Sequence, residues 1–287
     1  MRQNIYENLP MTTAPFPSRI VLELTPLCNL ACHMCPRHYI KESDGYMDSA
    51  LFMRLVDEIV AHNPQAIVLP FWRGESCLHP AFATLLQYAI DKGLRIHLST
   101  NGHFISEQNC AVFYQCEFLT FSIHTNKGYE NAQKILANKP KDCATTFQIS
   151  FVDSEKTTAA YLQHCVSDSN LLGFDSIRLY KEHTLNGKFG KGGASSARKR
   201  VFCPKLLHTF VVSSDGYFSR CNHIWKTQKE HNLHDESIAH VWQCETMQNI
   251  RRDYPDSQCA PCDQWSGHTC GESWQNHNGT IVHHVFD

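Results

Sequence analysis

The chain has 287 residues, of which 42% are hydrophobic, and its formal net charge is −2 at pH 7. This length and composition predict one large and one small domain with a sizeable core, and the near-neutral charge argues against a general nucleic-acid or membrane-surface binder. No apolar run approaches the length of a membrane span, and the polar N-terminus has no signal-peptide core. We therefore expect a protein of the reducing cytoplasm, whose 14 cysteines are metal ligands or thiols rather than disulfides.

Strand-like and helical patterns alternate along the first 180 or so residues. The run Arg19–Thr25 predicts a first strand, and Asp48 is placed to cap a helix whose apolar residues repeat from Leu51 to Val60. Further strands are predicted at Ala66–Phe71, Leu94–Ser99, Phe118–Ile123, Thr145–Val152 and Ser176–Tyr180, with helices at Ala81–Asp91 and near 106–115, 129–138 and 156–166. Such alternation indicates parallel βα units with right-handed crossovers. We predict an α/β fold in which six units form a partial (β/α)6 barrel.

The pattern changes after the sixth strand. Residues 183–200 are rich in glycine and basic residues, and we interpret them as a linker between domains, with a lid or acidic-substrate loop as the alternative. Residues 201–287 are rich in Cys, His and Asn, and are too short and polar to fold well without a bound metal centre. The predicted organisation is a barrel over 1–182, a linker or lid over 183–200 and a small cysteine-rich domain over 201–287.

Three cysteines, Cys28, Cys32 and Cys35, form a C-x3-C-x2-C pattern directly after the first predicted strand. Three thiolates satisfy three irons of a [4Fe–4S] cluster and leave the fourth iron open to a small molecule. Loops at the carboxyl ends of strands are where α/β sheets bind ligands. The alternative is a zinc or purely structural loop, but zinc sites normally take four protein ligands and favour C-x2-C pairs.

The strand, the C-x3-C-x2-C loop and the βα units that follow resemble the radical S-adenosylmethionine (radical SAM) superfamily. The resemblance implies a partial barrel whose active site lies at the carboxyl ends of the strands. It also implies that the three cysteines hold the cluster to which S-adenosylmethionine (SAM) binds.

The turn after the second predicted strand adds to this resemblance. Family members carry a Gly-Gly-Glu-Pro element here that meets the amino group of SAM, and Gly74 and Glu75 match it. Arg73 and Ser76 depart from the pattern. A carboxylate is chemically suited to an ammonium group.

Polar residues at the ends of the third and fourth predicted strands complete the expected SAM site. The resemblance implies by position that Asn101 and Ser122 contact the cofactor, although Asn101-Gly102 is equally typical of an ordinary turn. Many relatives have Asp-Gly where this chain has His124-Thr125, so His124 is a candidate for contact with the substrate.

A second cysteine set resembles the auxiliary-cluster domain of the same superfamily. Cys203 and Cys221 flank Gly216 in a C-x12-G-x4-C pattern, and Cys259 and Cys262 follow as C-x2-C. The spacing is similar to the SPASM type and fits its shorter twitch version better. The resemblance implies that these four thiolates hold a second [4Fe–4S] cluster that moves electrons, with zinc as the alternative occupant.

The resemblance implies a radical SAM oxidoreductase or isomerase with two [4Fe–4S] clusters and SAM. It would cleave SAM reductively, with electrons from a flavodoxin- or ferredoxin-type donor, and abstract a hydrogen atom from a substrate carbon. The cluster spacing is similar to that of aminocyclitol dehydrogenases, so dehydrogenation or epimerisation of a sugar-like or aminocyclitol-like natural product is expected, and maturation of a ribosomal peptide is the alternative. In an epimerase, Cys244 or Cys270 would be the candidate hydrogen-atom donor.

Two hypotheses of another class stay open at this point. One is a zinc-stapled binding module, and the other is an iron–sulfur electron carrier without SAM chemistry. Neither accounts for the βα repeats, the Gly74-Glu75 turn and the division of the cysteines into three and four.

Overall fold

The computed structural model describes residues 14–38, 43–154, 158–182, 202–262, 264, 271–277 and 279–286. The predicted linker or lid over 183–200 lies outside the described residues, and so does Cys270.

Six parallel strands form the centre of the molecule, in the same order in space as in sequence. They are β1 (Arg19–Leu22), β2 (Ile67–Leu69), β3 (Arg95–Thr100), β4 (Phe118–Ser122), β5 (Thr146–Asp153) and β6 (Ser176–Lys181). Strands β1 and β6 lie at opposite ends of this run. The predicted α/β fold with an open, partial barrel is therefore confirmed.

Helices connect the strands as predicted. They are α1 (Ser49–His62), α2 (Phe82–Asp91), α3 (Glu107–Phe113), α4 (Asn126–Ala137) and α5 (Ala159–Leu172). Asp48 caps α1 as expected, because its carboxylate accepts a hydrogen bond from the amide of Ala50. The apolar face of α1 is buried against the sheet, in accordance with the helical repeat of its sequence.

The residues after 201 extend the same sheet at both of its edges, which the sequence pattern did not indicate. They contribute α6 (Lys205–His208), β7 (Thr209–Val212), β8 (Tyr217–Ser219), β9 (Gln228–Asn232), α7 (Ile238–Trp242), α8 (Glu245–Arg252), β10 (Gly271–His277) and β11 (Thr280–Phe286). Strand β7 pairs in parallel with β1, and β8 and β9 follow in antiparallel order. The β10–β11 hairpin pairs antiparallel with β6.

The apolar core continues from the barrel into the C-terminal helices. Trp242 of α7 is 1% exposed, and its indole nitrogen donates to the carbonyl of Pro15 at 2.7 Å. The guanidinium of Arg251 stacks on the Trp242 ring and donates to two backbone carbonyls, and burial lowers the pKa of Arg251 to about 10. Among the described residues, no helix is long and apolar enough to cross a membrane.

Candidate active site

The loop after β1 brings Cys28, Cys32 and Cys35 to one cavity of about 370 Å³. A backbone hydrogen bond from Cys35 N to the carbonyl of Cys32 (2.9 Å) tightens the loop. The guanidinium of Arg37 donates to the carbonyls of Cys28 and Leu30 at 3.3 and 3.0 Å. The chain therefore folds locally so that the three sulfur donors face one space.

The chemistry of this donor set fits an iron–sulfur cluster. Burial and the neighbouring Cys35 and Cys28 thiols raise the pKa of Cys32 to about 11, and burial raises the pKa of Cys28. Thiols that resist ionisation on their own become thiolate ligands when bound iron supplies the compensating positive charge. Three cysteine sulfurs that line one cavity provide the three protein ligands that such a cluster requires.

Gly74 is the point where the turn after β2 meets the cysteine loop. A Cβ atom at this position would lie 2.3 Å from the carbonyl oxygen of Thr25 and 2.4 Å from that of Leu27. The next amide, Glu75 N, donates to the same Leu27 oxygen at 2.7 Å. Only glycine allows this close backbone approach, so the match of Gly74 to the family element has a steric reason.

The Glu75 side chain is 3% exposed and joins the turn to the end of β3. Its Oε1 atom accepts from Thr100 Oγ1 (2.8 Å) and Cys77 N (3.2 Å), and its Oε2 atom accepts from Asn101 N (2.7 Å). Burial raises the pKa of Glu75, and these donors oppose that rise. The carboxylate lines the cavity, but much of its accepting capacity is used by the protein itself.

Asn101 is tied directly to the cysteine loop. Its Nδ2 atom donates to Oδ1 of Asn29 at 2.9 Å and lies 3.8 Å from Sγ of Cys28. It is therefore placed to donate a hydrogen bond toward a cluster sulfur, and such bonds influence cluster potentials. Its Oδ1 atom accepts from His103 N at 3.0 Å, which holds the amide in this orientation.

Ser122 and His124 also line the cavity, at the end of β4. Ser122 Oγ lies 3.1 Å from His124 Nε2. Burial lowers the pKa of His124, and the nearby His33 lowers it further. The imidazole is therefore held in its neutral form near pH 7.

Several cavity residues were missed by reasoning from the sequence. They are Trp72, Tyr180, Lys181, Glu182, His223 and Trp225, with others from the same loops. Tyr180 is the last residue of a predicted strand, and this position could have identified it as a residue of the cavity. His223 and Trp225 were not predictable in this way, because they enter from the C-terminal part of the chain.

The second cysteine set, Cys203, Cys221, Cys259 and Cys262, lines a small cavity of about 20 Å³. Burial raises the pKa of Cys203 to about 12 and that of Cys259 to about 11. Four sulfur donors around one small space fit a cluster with a complete protein ligand set.

Gly216 and His223 show how this second site is built and where it lies. Gly216 has a φ of +82° and ends the turn that directs β8 toward Cys221, and a Cβ there would lie 2.5 Å from Asn232 Oδ1. His223 lines both this cavity and the larger one, and its Nε2 atom accepts from Lys205 Nζ at 2.8 Å. This histidine therefore borders the cavities of both cysteine sets.

The candidate hydrogen-atom donor Cys244 lies at the N-terminus of α8 and is 8% exposed. It packs within the hydrophobic core rather than with the residues that line the cavity. This placement does not support a role as hydrogen-atom donor, and that role stays a prediction.

Comparisons with known proteins agree with the fold described above and with the second cysteine set. A family model, the SPASM iron-sulfur cluster-binding domain, matches residues 203–263. The crystal structure of BtrN in complex with AdoMet and 2-DOIA aligns with 88% of this chain and 93% of that chain, at a TM-score of 0.60 and 15% identity. Streptococcus suis SuiB bound to its precursor peptide SuiA aligns with 89% of this chain and 72% of that chain, at a TM-score of 0.67 and 13% identity.

Curated relatives match shorter segments. The dTDP-4-amino-4,6-dideoxy-D-glucose ammonia-lyase of Streptomyces venezuelae is 33% identical over 98 residues, which are 32% of this chain and 20% of the relative. The S-adenosylmethionine-dependent nucleotide dehydratase of Selenomonas ruminantium is 29% identical over 84 residues, which are 29% of this chain and 30% of the relative. The alignments thus span less than a third of the curated relatives.

The family match shows that residues 203–263 are an iron–sulfur cluster-binding domain, and the three-cysteine loop of the partial barrel offers another set of sulfur ligands. Residues 203–263 match the SPASM iron-sulfur cluster-binding domain, and the chain as a whole resembles radical SAM proteins of the SPASM type.

Proposed function

We propose that this enzyme abstracts a hydrogen atom from a polar, ring-shaped small molecule and oxidises it. The observation that carries the proposal is the single cavity that contains the cysteine loop and meets the second cysteine set at His223. When bound, a [4Fe–4S] cluster with SAM supplies a 5′-deoxyadenosyl radical, and a second cluster supplies a nearby electron acceptor.

The chain's own residues would hold and orient these groups. Cys28, Cys32 and Cys35 would bind the first cluster, and the four cysteines of the second cavity would bind the auxiliary one. Gly74 and Glu75 shape the cavity wall beside the cysteine loop, and Asn101 and Ser122 present polar atoms to the same space. These contacts support the expected SAM-binding residues.

The substrate side of the cavity combines aromatic and polar groups. Trp72, Trp225 and Tyr180 contribute aromatic side chains to its lining, and Lys181 and Glu182 contribute opposite charges. Ring faces suit the apolar faces of a sugar or cyclitol, and the charged groups suit its hydroxyl or amino substituents. His124, which lines the cavity and is neutral near pH 7, would exchange a proton with such a hydroxyl.

A neutral base beside the substrate is consistent with dehydrogenation. Oxidation of an alcohol or amine carbon removes one hydrogen atom, one proton and one electron. Abstraction takes the hydrogen atom, His124 is the candidate acceptor for the proton, and the second cluster is the candidate acceptor for the electron. The likeness to BtrN, solved with 2-DOIA, supports a cyclitol-like substrate, and the likeness to SuiB, solved with a precursor peptide, keeps peptide modification as the second candidate.

The test is anaerobic. Reconstituted protein is incubated with reductant, SAM and candidate aminocyclitols, nucleotide-linked amino sugars or peptides, and 5′-deoxyadenosine, iron content and product mass are measured. The proposal expects about eight irons per chain, 5′-deoxyadenosine formation, and a product lighter than its substrate by two hydrogen atoms. A product from peptides alone would replace the small-molecule proposal with the second candidate.

Cysteine variants separate the two sites. Cys28→Ala is expected to abolish 5′-deoxyadenosine formation, whereas Cys259→Ala is expected to lower iron to about four per chain and to stop product formation. Cys143→Ala is the matched control, because Cys143 is a half-buried cysteine that lies in neither set. Full product formation in Cys259→Ala would exclude the second cluster as the electron acceptor.

A further inference from the structure

A cluster of metal-ligating side chains lies apart from both cysteine sets. His231 is in β9, Glu236 lies two residues before α7, and His240 is in α7. Nδ1 of His231 lies 2.8 and 3.0 Å from the two carboxylate oxygens of Glu236, and Nε2 of His240 lies 3.4 Å from Oε1. One ligand atom from each of the three residues falls within 4.8 Å of the others.

The surrounding backbone holds these side chains in place. Asn232 N donates to Oε2 of Glu236 at 3.1 Å, and the Ser237 hydroxyl caps α7 by accepting from His240 N at 3.1 Å. The His231 ring packs against the Phe218 ring at a centroid distance of 6.2 Å and edge-on against the His240 ring at 5.9 Å. His231 and His240 are thus held in secondary-structure elements, and Glu236 lies in the short connection between them.

Helix α7 is itself anchored to the barrel. The amides of Ile238 and Ala239 donate to the two carboxylate oxygens of Glu58 at 3.0 and 2.9 Å. Glu58 belongs to α1, so the cluster lies where the C-terminal part of the chain docks on the barrel.

We propose that His231, Glu236 and His240 bind a divalent transition-metal ion, with Zn²⁺ as the best match. Zinc takes imidazole and carboxylate ligands at about 2.0–2.2 Å in tetrahedral geometry, which places ligand atoms roughly 3.3 Å apart. The observed contacts of 2.8 and 3.4 Å bracket that separation. Two imidazoles and one carboxylate leave a fourth position for water, which can enter because His240 is 63% exposed.

The ion would join β9 to α7 and strengthen the docking of α7 on α1. A ligand that binds only the folded state stabilises it by an amount that rises with its concentration above Kd. None of the three ligands is a cysteine, so the site and the iron–sulfur sites can be tested separately.

The experiment uses the holoenzyme with its clusters in place, freed of loosely bound metal by dialysis against a weak chelator. Zn²⁺ is added in anaerobic equilibrium dialysis, and bound zinc and iron are measured together by mass spectrometry. We expect one zinc per chain, with unchanged iron, and a zinc-dependent rise in Tm. His240→Ala is expected to weaken zinc binding at least tenfold and to remove the rise in Tm.

His283→Ala is the matched control. His283 pairs with Glu272 at 2.8 Å on the β10–β11 hairpin and is 46% exposed, but that pair has no third ligand in the described chain. The control is expected to bind zinc as the wild type does. Equal zinc binding by the wild type and His240→Ala, or no zinc binding by the wild type, would overturn the proposal and leave a hydrogen-bonded His–Glu–His cluster. Unchanged iron content in each variant shows that folding and the clusters are intact.

Discussion

Arg73 and Glu23 form a buried ion pair in which Nη2 of Arg73 lies 2.5 Å from Oε2 of Glu23. Arg73 Nε donates to Oε1 at 2.8 Å, and Ser214 N, in the turn after β7, donates to Oε2 at 3.2 Å. Arg73 Nη1 also lies 3.4 Å from the carbonyl of Trp225. Arg73 stands where the family element has glycine, and its side chain connects the barrel to the loop that brings Trp225 into the cavity.

Replacement of Arg73 by Met is therefore expected to destabilise the protein strongly. It leaves the carboxylate of Glu23, which is 0% exposed, without its cation, and breaking such a buried pair costs about 3–5 kcal/mol. Anaerobic denaturant unfolding measures the change. Arg95→Met is the matched control, because the Arg95–Glu117 pair is over 40% exposed and such pairs contribute about 0.2–1 kcal/mol. Equal losses in the two variants would contradict this account.

Replacement of Gly74 by Ala is expected to impair the SAM site. The added Cβ would overlap the carbonyl oxygens of Thr25 and Leu27, so the turn or the cysteine loop must move. SAM affinity and 5′-deoxyadenosine formation are expected to fall at least tenfold. Gly93→Ala serves as the control, since Gly93 has a φ of +82° but open space around it, and its replacement costs stability while SAM binding stays unchanged. Normal SAM binding by Gly74→Ala would refute the steric argument.

The amide of Asn101 is expected to raise the reduction potential of the cluster at the cysteine loop. Its Nδ2 atom lies 3.8 Å from Cys28 Sγ, and a hydrogen bond to sulfur stabilises the more negative, reduced form. Asn101→Asp keeps the oxygen that accepts from His103 N, removes the donor and adds a negative charge beside Cys28, so both changes are expected to lower the potential. A redox titration followed by electron paramagnetic resonance measures this. Asn138→Asp, at the exposed end of α4, should leave the potential unchanged.

The lowered pKa of His124 predicts a pH dependence of stability. Burial and His33 hold the folded-state pKa of His124 below 6.5, its ordinary value, so the unfolded chain takes up the proton first as the pH falls. The contribution to stability is full above pH 6.5 and is lost as the pH falls through the folded-state pKa. His124→Gln does not titrate, so its free energy of unfolding should decrease less than that of the wild type between pH 8 and pH 6.

His277→Gln provides the comparison for that experiment, because His277 is exposed on β10. Its unfolding free energy should follow the wild-type pH dependence. If the wild type and His124→Gln lost stability in parallel, burial of the neutral imidazole would not be the cause.

Local sequence patterns were sufficient to predict the helices and strands whose own residues carry a hydrophobic repeat or a capping residue. The alternation of strands and helices gave the order β1 to β6, and Asp48 marked the start of α1. Boundaries moved by a few residues, as for α5, which runs to Leu172 beyond the predicted 166. The cysteine spacings predicted two sets, and the structure brings each set to one cavity.

Contacts between distant parts of the chain were not predictable in the same way. β7 lies beside β1 and the β10–β11 hairpin beside β6, although a short apolar strand carries no information about its partner. Cys244 illustrates the same limit, since only the structure shows that its side chain packs in the core.

The amino-acid sequence by itself determined the order of the barrel strands and the two sets of cysteines, because ligand spacing and hydrophobic periodicity are properties of short segments. Only the tertiary structure decided that His223 and Trp225 line the cavity of the cysteine loop, that Arg73 pairs with Glu23, and that His231, Glu236 and His240 converge. These arrangements depend on pairing and packing between residues far apart in the chain. They are favoured because the folded chain as a whole buries apolar surface and gives its polar groups hydrogen-bond partners.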